Sequence, residues 1–237
     1  MKLIYLAAGR GSRLPIRFRK LPKCLTKISN LSLFEHQIGF FRKFEKKIII
    51  TGYRSKSLKD YIIKNNFFEI KNHNYKSTNM VHSMFLASKY ITNDVVICYG
   101  DILFKKSISK IFSNKGNVMP VNTNWLWYWR KRMNKKMILS DAEDLTVYKK
   151  NITSIGNKIQ KKLPKYQYMG IFKLDCKTFK NMSLYYKKLK NKKIDMTSFL
   201  DLCIKNKILK IKIKKYSDYW FEIDTHKDIK VATKLFI

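Results

Sequence analysis

The chain has 237 residues, 45% hydrophobic and 14% aromatic, with 51 basic against 16 acidic side chains and a formal charge of +35. That apolar content excludes a disordered chain, and the length suffices to bury a sizeable core. So high a charge would ordinarily suggest a nucleic acid or an anionic membrane surface, but the excess is mostly lysine spread through every segment, so it names no specific nucleic-acid partner.

The first element is an apolar run, Leu3 to Ala8, which reads as a buried strand and opens into Gly9-Arg10-Gly11-Ser12-Arg13-Leu14 and then Pro22-Lys23. Glycines after a strand let backbone N–H groups approach anionic oxygens, and Arg13 and Lys23 supply charge where phosphates would lie. A P-loop is excluded because no G-x-x-x-x-G-K-[ST] occurs. The dinucleotide fingerprint is excluded because Leu14 stands where its third glycine belongs. Ser32 to Phe44 follows with apolar residues at helical spacing, then a strand at Lys47 to Gly52, a helix at Asn79 to Tyr90, and strands at Val95 to Tyr99 and Asn117 to Val121. Alternation of this kind predicts an α/β fold, a Rossmann-like three-layer sandwich with a mixed, mostly parallel central sheet.

The second half is less regular. Strands are expected at Leu145 to Tyr148, Tyr168 to Leu174, Ile208 to Lys214 and Tyr219 to Ile223, and helices at Asp195 to Lys205 and Thr225 to Phe236. With no repeat and no Pro/Gly/Ser linker, residues 1–237 read as one domain, with a small lobe at about 122–170. Cys24, Cys98, Cys176 and Cys203 are too scattered for a zinc site or a disulfide framework. No signal peptide precedes the first strand and no run of 18 apolar residues occurs, so a soluble cytoplasmic protein without membrane insertion is expected.

Two places offer carboxylates to a cation. Asp101 ends the apolar strand Val95 to Tyr99 through Gly100, where ligands of open α/β sheets bind. Glu222 and Asp224 are two apart, so on a strand they share a face. The alternative roles are a helix N-cap or turn for Asp101 and a cap of the following helix for Asp224. Between these sites, Asn124 to Arg132 holds three tryptophans, a tyrosine and two arginines, followed by Asp141 and Glu143. Such a run reads either as an aromatic cage for a cationic amine, with Arg130 or Arg132 clamping a phosphate, or as a packed, arginine-covered lobe.

Leu6-Ala7-Ala8-Gly9-Arg10-Gly11-Ser12-Arg13-Leu14, followed by Pro22-Lys23-Cys24-Leu25, resembles the start of the nucleotidyltransferases that join a nucleoside monophosphate to a sugar phosphate or a small phosphorylated headgroup. The resemblance implies transfer of a nucleotidyl group with Arg13 and Lys23 as catalytic residues and Mg2+ held by Asp101, Asp224 and Glu222. It places the nucleotide against Leu6, Ala8, Gly9 and Gly11. Gly52, Tyr53, Asn79 and Ser83 would complete that side, the last two through an N-x-x-x-S pattern associated with cytidylyltransferases; Asn79 also suits a helix N-cap. The tryptophan run, the Ser140-Asp141-Ala142-Glu143 segment and Gln167-Tyr168-Met169-Gly170 look most like the phosphonate and phosphocholine branch. On that branch CTP meets a small phosphorylated or phosphonate acceptor touched by Trp129, Arg130, Arg132, Asp141, Glu143 and Lys158. The chain departs from the sugar branch at Asn157, which replaces a glutamate. Rival readings are a sugar-1-phosphate nucleotidyltransferase using UTP or dTTP, and a basic RNA- or membrane-surface-binding protein on an inactive nucleotide fold. A homodimer is left open.

Overall fold

The computed structural model describes residues 1–159 and 162–236. Among them a ten-stranded sheet runs, in spatial order, Phe68–Lys71, Lys46–Thr51, Lys2–Ala7, Val95–Tyr99, Ile171–Leu174, Val118–Asn122, Lys212–Tyr216, Asn151–Lys158 and Glu143–Tyr148, with Gln167–Tyr168 paired to Val118–Asn122. The first four of these are mutually parallel. Ile171–Leu174 runs against both of its neighbours, whereas Lys212–Tyr216 is again parallel to Val118–Asn122. Every residue of Lys2–Ala7, Val95–Tyr99 and Val118–Asn122 is buried. Strands covered on both faces require layers above and below, the three-layer arrangement expected from the sequence.

Lys2–Ala7 lies between Lys46–Thr51, which follows it in the chain, and Val95–Tyr99, which comes two strands later. The chain therefore winds outward to one side, then returns to the other, and the carboxyl end of Lys2–Ala7 becomes the switch point where a doubly wound sheet opens a crevice. One layer is pinned to this strand by aromatic rings: Tyr5 meets Phe34 and Phe41 at centroid separations of 5.6 and 5.0 Å, both edge-on. Each such pair contributes about 1 kcal/mol beyond its buried area. Both aromatic partners come from the helix Leu33–Phe41, which starts on a capping box between Ser32 and Glu35.

Several elements depart from the sequence expectations. The run Tyr168 to Leu174 is not one strand: Gly170 adopts φ +73°, and past it the chain pairs chiefly with Val95–Tyr99, keeping a single pairing, Lys173 with Val118, on the side of Val118–Asn122. The strand expected at Ile208 to Lys214 lies at Lys212–Tyr216, its register fixed by pairing with Val118–Asn122. The tryptophan run is a helix, Trp125–Arg132, followed by a second, Lys135–Asp141. Strands Phe68–Lys71 and Asn151–Lys158 and the helix Cys176–Lys188 were not foreseen. No helix among the described residues is long and apolar enough to cross a membrane.

Candidate active site

At the switch point the strands Lys2–Ala7 and Val95–Tyr99 end side by side, and Gly100 is what permits it: a Cβ there would stand 2.8 Å from the carbonyl oxygen of Leu6. Asp101 follows directly. Glu222 ends the strand Trp220–Glu222, which pairs antiparallel with Ile102–Phe104, so that pairing delivers Glu222 and then Asp224 to Asp101. Asp224 does not cap the last helix. Thr225 takes that role in a capping box with Asp228, whose Oδ2 accepts from the backbone N–H groups of Asp224 and Thr225 at 2.9 and 2.7 Å. The Asp224 carboxylate is thereby free for the site.

Lys23 fills the space between the acids. Its Nζ donates to Asp101 Oδ2 at 2.7 Å and to Asp224 Oδ1 at 2.5 Å, while Arg13 Nη2 approaches the same Asp224 oxygen at 2.9 Å. Burial opposes the charge on Lys23, yet Asp101, Asp224 and Glu222 outweigh it and hold its pKa above the ordinary lysine value. The Arg13 guanidinium is raised in the same way, chiefly by Asp224 against the opposing effect of burial. Burial first, then the neighbouring Asp224 and Asp101, push the Glu222 carboxyl upward.

Oxygens of Asp101, Glu222 and Asp224 lie within 4.8 Å of one another. Asp101 Oδ1 is buried with no hydrogen-bond partner among the described residues. A buried carboxylate oxygen left unpartnered is costly, and three convergent carboxylates form the hard, all-oxygen donor set that a divalent cation such as Mg2+ takes. The residues present therefore fit such an ion.

Two clefts meet at this cluster, sharing Met80 and Tyr99 in their walls. The first is lined by Leu6, Ala8 and Gly9 from the first strand, by Asn79 and Ser83 from the helix Met80–Leu86 and its cap, and by Lys23 and Asp101 at its inner end. Asn79 combines both of its readings, since its side chain also accepts from the Met80 N–H as a cap. Gly52 and Tyr53 stand behind the wall rather than in it: the Tyr53 N–H donates to Ala8 O at 3.1 Å, and Gly52 is pressed against Ala8 and Tyr75. Gly11 likewise stands outside the lining, in the turn that carries Arg13. Asn72 was missed. Its amide, 2% exposed, donates to Thr78 Oγ1 and Ser83 Oγ and so orients hydroxyls on the cleft wall. It directly follows the unforeseen strand Phe68–Lys71, so nothing in the sequence reading placed it.

The second cleft, of about 270 Å3, brings Arg13 and Glu222 together with Trp129, Asp141 and Glu143. It also contains Gln167, Asp195 and Thr197, which the sequence reading did not assign to a site. Burial and then the nearby Asp195 and Asp141, against a hydrogen bond that lowers it, raise the Glu143 pKa to about 7.

The other acceptor expectations are corrected. Arg132 is 5% exposed, donates to Asp228 Oδ1 at 3.0 Å and lies 5.0 Å from the Trp129 ring centroid, so it is committed to the interior behind the cleft. Arg130 and Lys158 are exposed and line neither cleft. No aromatic cage forms from the run: helical spacing turns Trp125, Tyr128 and Trp129 inward as core and leaves Trp127 outside, under Lys131.

A profile of the family described as nucleotidyl transferase matches residues 2–236. The chain belongs to that family. A CTP:phosphoglutamine cytidylyltransferase of Campylobacter jejuni is 30% identical to this nucleotidyltransferase, covering 98% of each chain. Among solved structures, a putative glucose-1-phosphate thymidylyltransferase from Bacillus anthracis superposes with a TM-score of 0.79 at 19% identity, over 99% of this chain and 94% of that one. The CTP:phosphocholine cytidylyltransferase of Streptococcus pneumoniae superposes at 0.78 with 18% identity, over 100% of this chain and 99% of that one. At such identities the two structures establish the Rossmann-like fold, and the family match makes the protein an enzyme of nucleotidyl transfer.

Proposed function

We propose that this nucleotidyltransferase transfers CMP from CTP to a small phosphorylated or phosphonylated amine and releases pyrophosphate. The observation that carries this reading is the meeting of two clefts at Lys23, Asp101 and Glu222. One cleft has the glycine-ended strand suited to a nucleotide, and the other an acidic wall suited to an ammonium. The full-length Campylobacter relative, whose name specifies CTP and a phosphorylated amino acid, supports the choice of base and of acceptor class.

In this reading an acceptor oxygen attacks the α-phosphorus, a new P–O–P linkage forms, and the bond from the α-phosphorus to the bridging oxygen breaks, so that pyrophosphate leaves with the electron pair. Several negative charges crowd together in that arrangement, and alignment and neutralisation supply most of the catalysis. Lys23 leaves its aspartates for the phosphates, and Arg13, 59% exposed at its side chain, reaches them from the open side of the cleft. Asp101 and Asp224, with Glu222, would hold Mg2+, which supplies Lewis-acid charge at the reacting phosphates when bound.

The test is Mg2+-dependent pyrophosphate release from CTP, UTP, dTTP, ATP and GTP against phosphocholine, 2-aminoethylphosphonate, phosphoglutamine and sugar 1-phosphates. Release with CTP and an amine acceptor is the expected result. Release confined to UTP or dTTP with a sugar phosphate would replace this reading by the sugar branch.

A further inference from the structure

The acceptor cleft inverts the charge of the chain around it. Although basic residues outnumber acidic ones by 51 to 16, this cleft takes, among the described residues, four of the acids, Asp141, Glu143, Asp195 and Glu222, against a single arginine and no lysine. Arg13 and Glu222 belong to the end shared with Asp224. Asp195 acts on Glu143 at the other end, and is itself anchored by N–H and hydroxyl donors from Ser198. A second, independent feature lies on the same wall. Gln167 is 7% exposed, and its side-chain oxygen has no hydrogen-bond partner among the described residues. An unpartnered acceptor there destabilises the cleft until a donor meets it.

Four aromatic residues, Tyr99, Trp129, Tyr168 and Trp220, share the lining, but each is less than a tenth exposed, and Tyr99 and Tyr168 pack edge-on against one another at 5.9 Å, so little ring face is open to a cation. Trp129 is the one member of the tryptophan run that lines this cleft, and a guanidinium already stands 5.0 Å from its ring centroid. Rings bind a methylated cation, which has no N–H to offer, whereas carboxylate and amide oxygens reward a cation that can donate.

We propose that Gln167, Glu143 and Asp195 are specificity-determining residues that select an acceptor bearing a primary ammonium, with N–H donors, over its quaternary, N-trimethylated counterpart. The proposal rests on the acceptor assignment made above but concerns which amine is chosen. The raised pKa of Glu143, caused first by burial and then by Asp195 and Asp141, agrees with it, because a bound ammonium offsets both effects by pairing with the carboxylate. A site built around hydrogen-bond acceptors rejects the analogue that cannot donate more strongly than an apolar pocket rejects a misfit methyl group.

The probes are phosphate monoesters with chains of two to five carbons ending in a primary amine, a trimethylammonium or a hydroxyl. Binding is measured by calorimetry on the protein with CTP and Ca2+, and turnover by pyrophosphate release with CTP and Mg2+. The primary amines are expected to bind and react at least about tenfold better than their trimethylated and hydroxyl partners of equal length. Glu143→Gln and Gln167→Leu should erase that preference through KM while leaving kcat within a few-fold. Asp195→Asn, which keeps the helix cap, should do the same. Equal or better use of the trimethylated series, or a preference that survives all three substitutions, overturns the proposal and leaves the transferase reading standing. Selective binding of primary amines without transfer to any of them upholds the selectivity and sinks the transferase reading instead.

Discussion

The two clefts of this enzyme are built from different materials. The nucleotide side is backbone: a strand end, a glycine turn and a close approach at Gly100, all within a few residues of one another in sequence or in register. The acceptor side is side chains gathered from a helix end at Asp141, a hairpin at Glu143, a short strand at Gln167 and a helix cap at Asp195. Phosphate binding can thus be written locally, whereas acceptor choice is assembled from distant segments. Mutations on the first side should stop the chemistry, and mutations on the second should change what enters.

The sharpest break is Lys23→Ala. It should lower kcat/KM for pyrophosphate release by about 10³-fold, near the loss expected when a charge-stabilising donor is removed, with a circular-dichroism spectrum like that of the parent. Retained activity would remove Lys23 from the mechanism. Arg132→Met comes next and should act on stability, since it strands the buried Asp228 carboxylate; denaturant unfolding should show a loss of about 3 kcal/mol. Gly100→Ala drives a methyl group into Leu6 O and should cost about 2 kcal/mol by the same measurement.

A smaller effect sharpens the acceptor side. With its pKa raised to about 7, Glu143 is neutral below that pH and anionic above it. The KM for an amine acceptor should therefore fall several-fold from pH 6 to pH 8, and Glu143→Gln should flatten that slope; a slope unchanged in the variant would remove Glu143 from acceptor binding. Smallest of all, Lys158→Ala should leave kcat and KM within about twofold, because that lysine is exposed and outside both clefts.

This division also explains what could be read in advance. Leu6 to Gly9, Arg13, Lys23 and Asp101 were legible because strand ends, glycines and phosphate charge occur together along the chain. Asp224 was legible through Glu222, two residues before it. Arg132 misled because the sequence shows an arginine among aromatics but not that Asp228, from the last helix, holds it inside. Gln167 was read as part of a motif but not as a wall of the cleft, because the break at Gly170 separates it from Ile171–Leu174. Asp195 was recognised as a helix start, and its cap bonds to Ser198 bear that out, yet nothing nearby in sequence reveals that Glu143 faces the same space.

Asp228 joins three structures at one carboxylate: the start of the final helix, the backbone of Asp224, and Arg132 at the end of the tryptophan helix. The last helix is therefore a lever with its fulcrum one peptide from a candidate metal ligand. Displacing its first turn would bear on Asp224 through the backbone bond and, through Arg132 and Trp129, on the acceptor wall. A substitution that shifts the start of that helix should therefore register in kinetics as well as in stability.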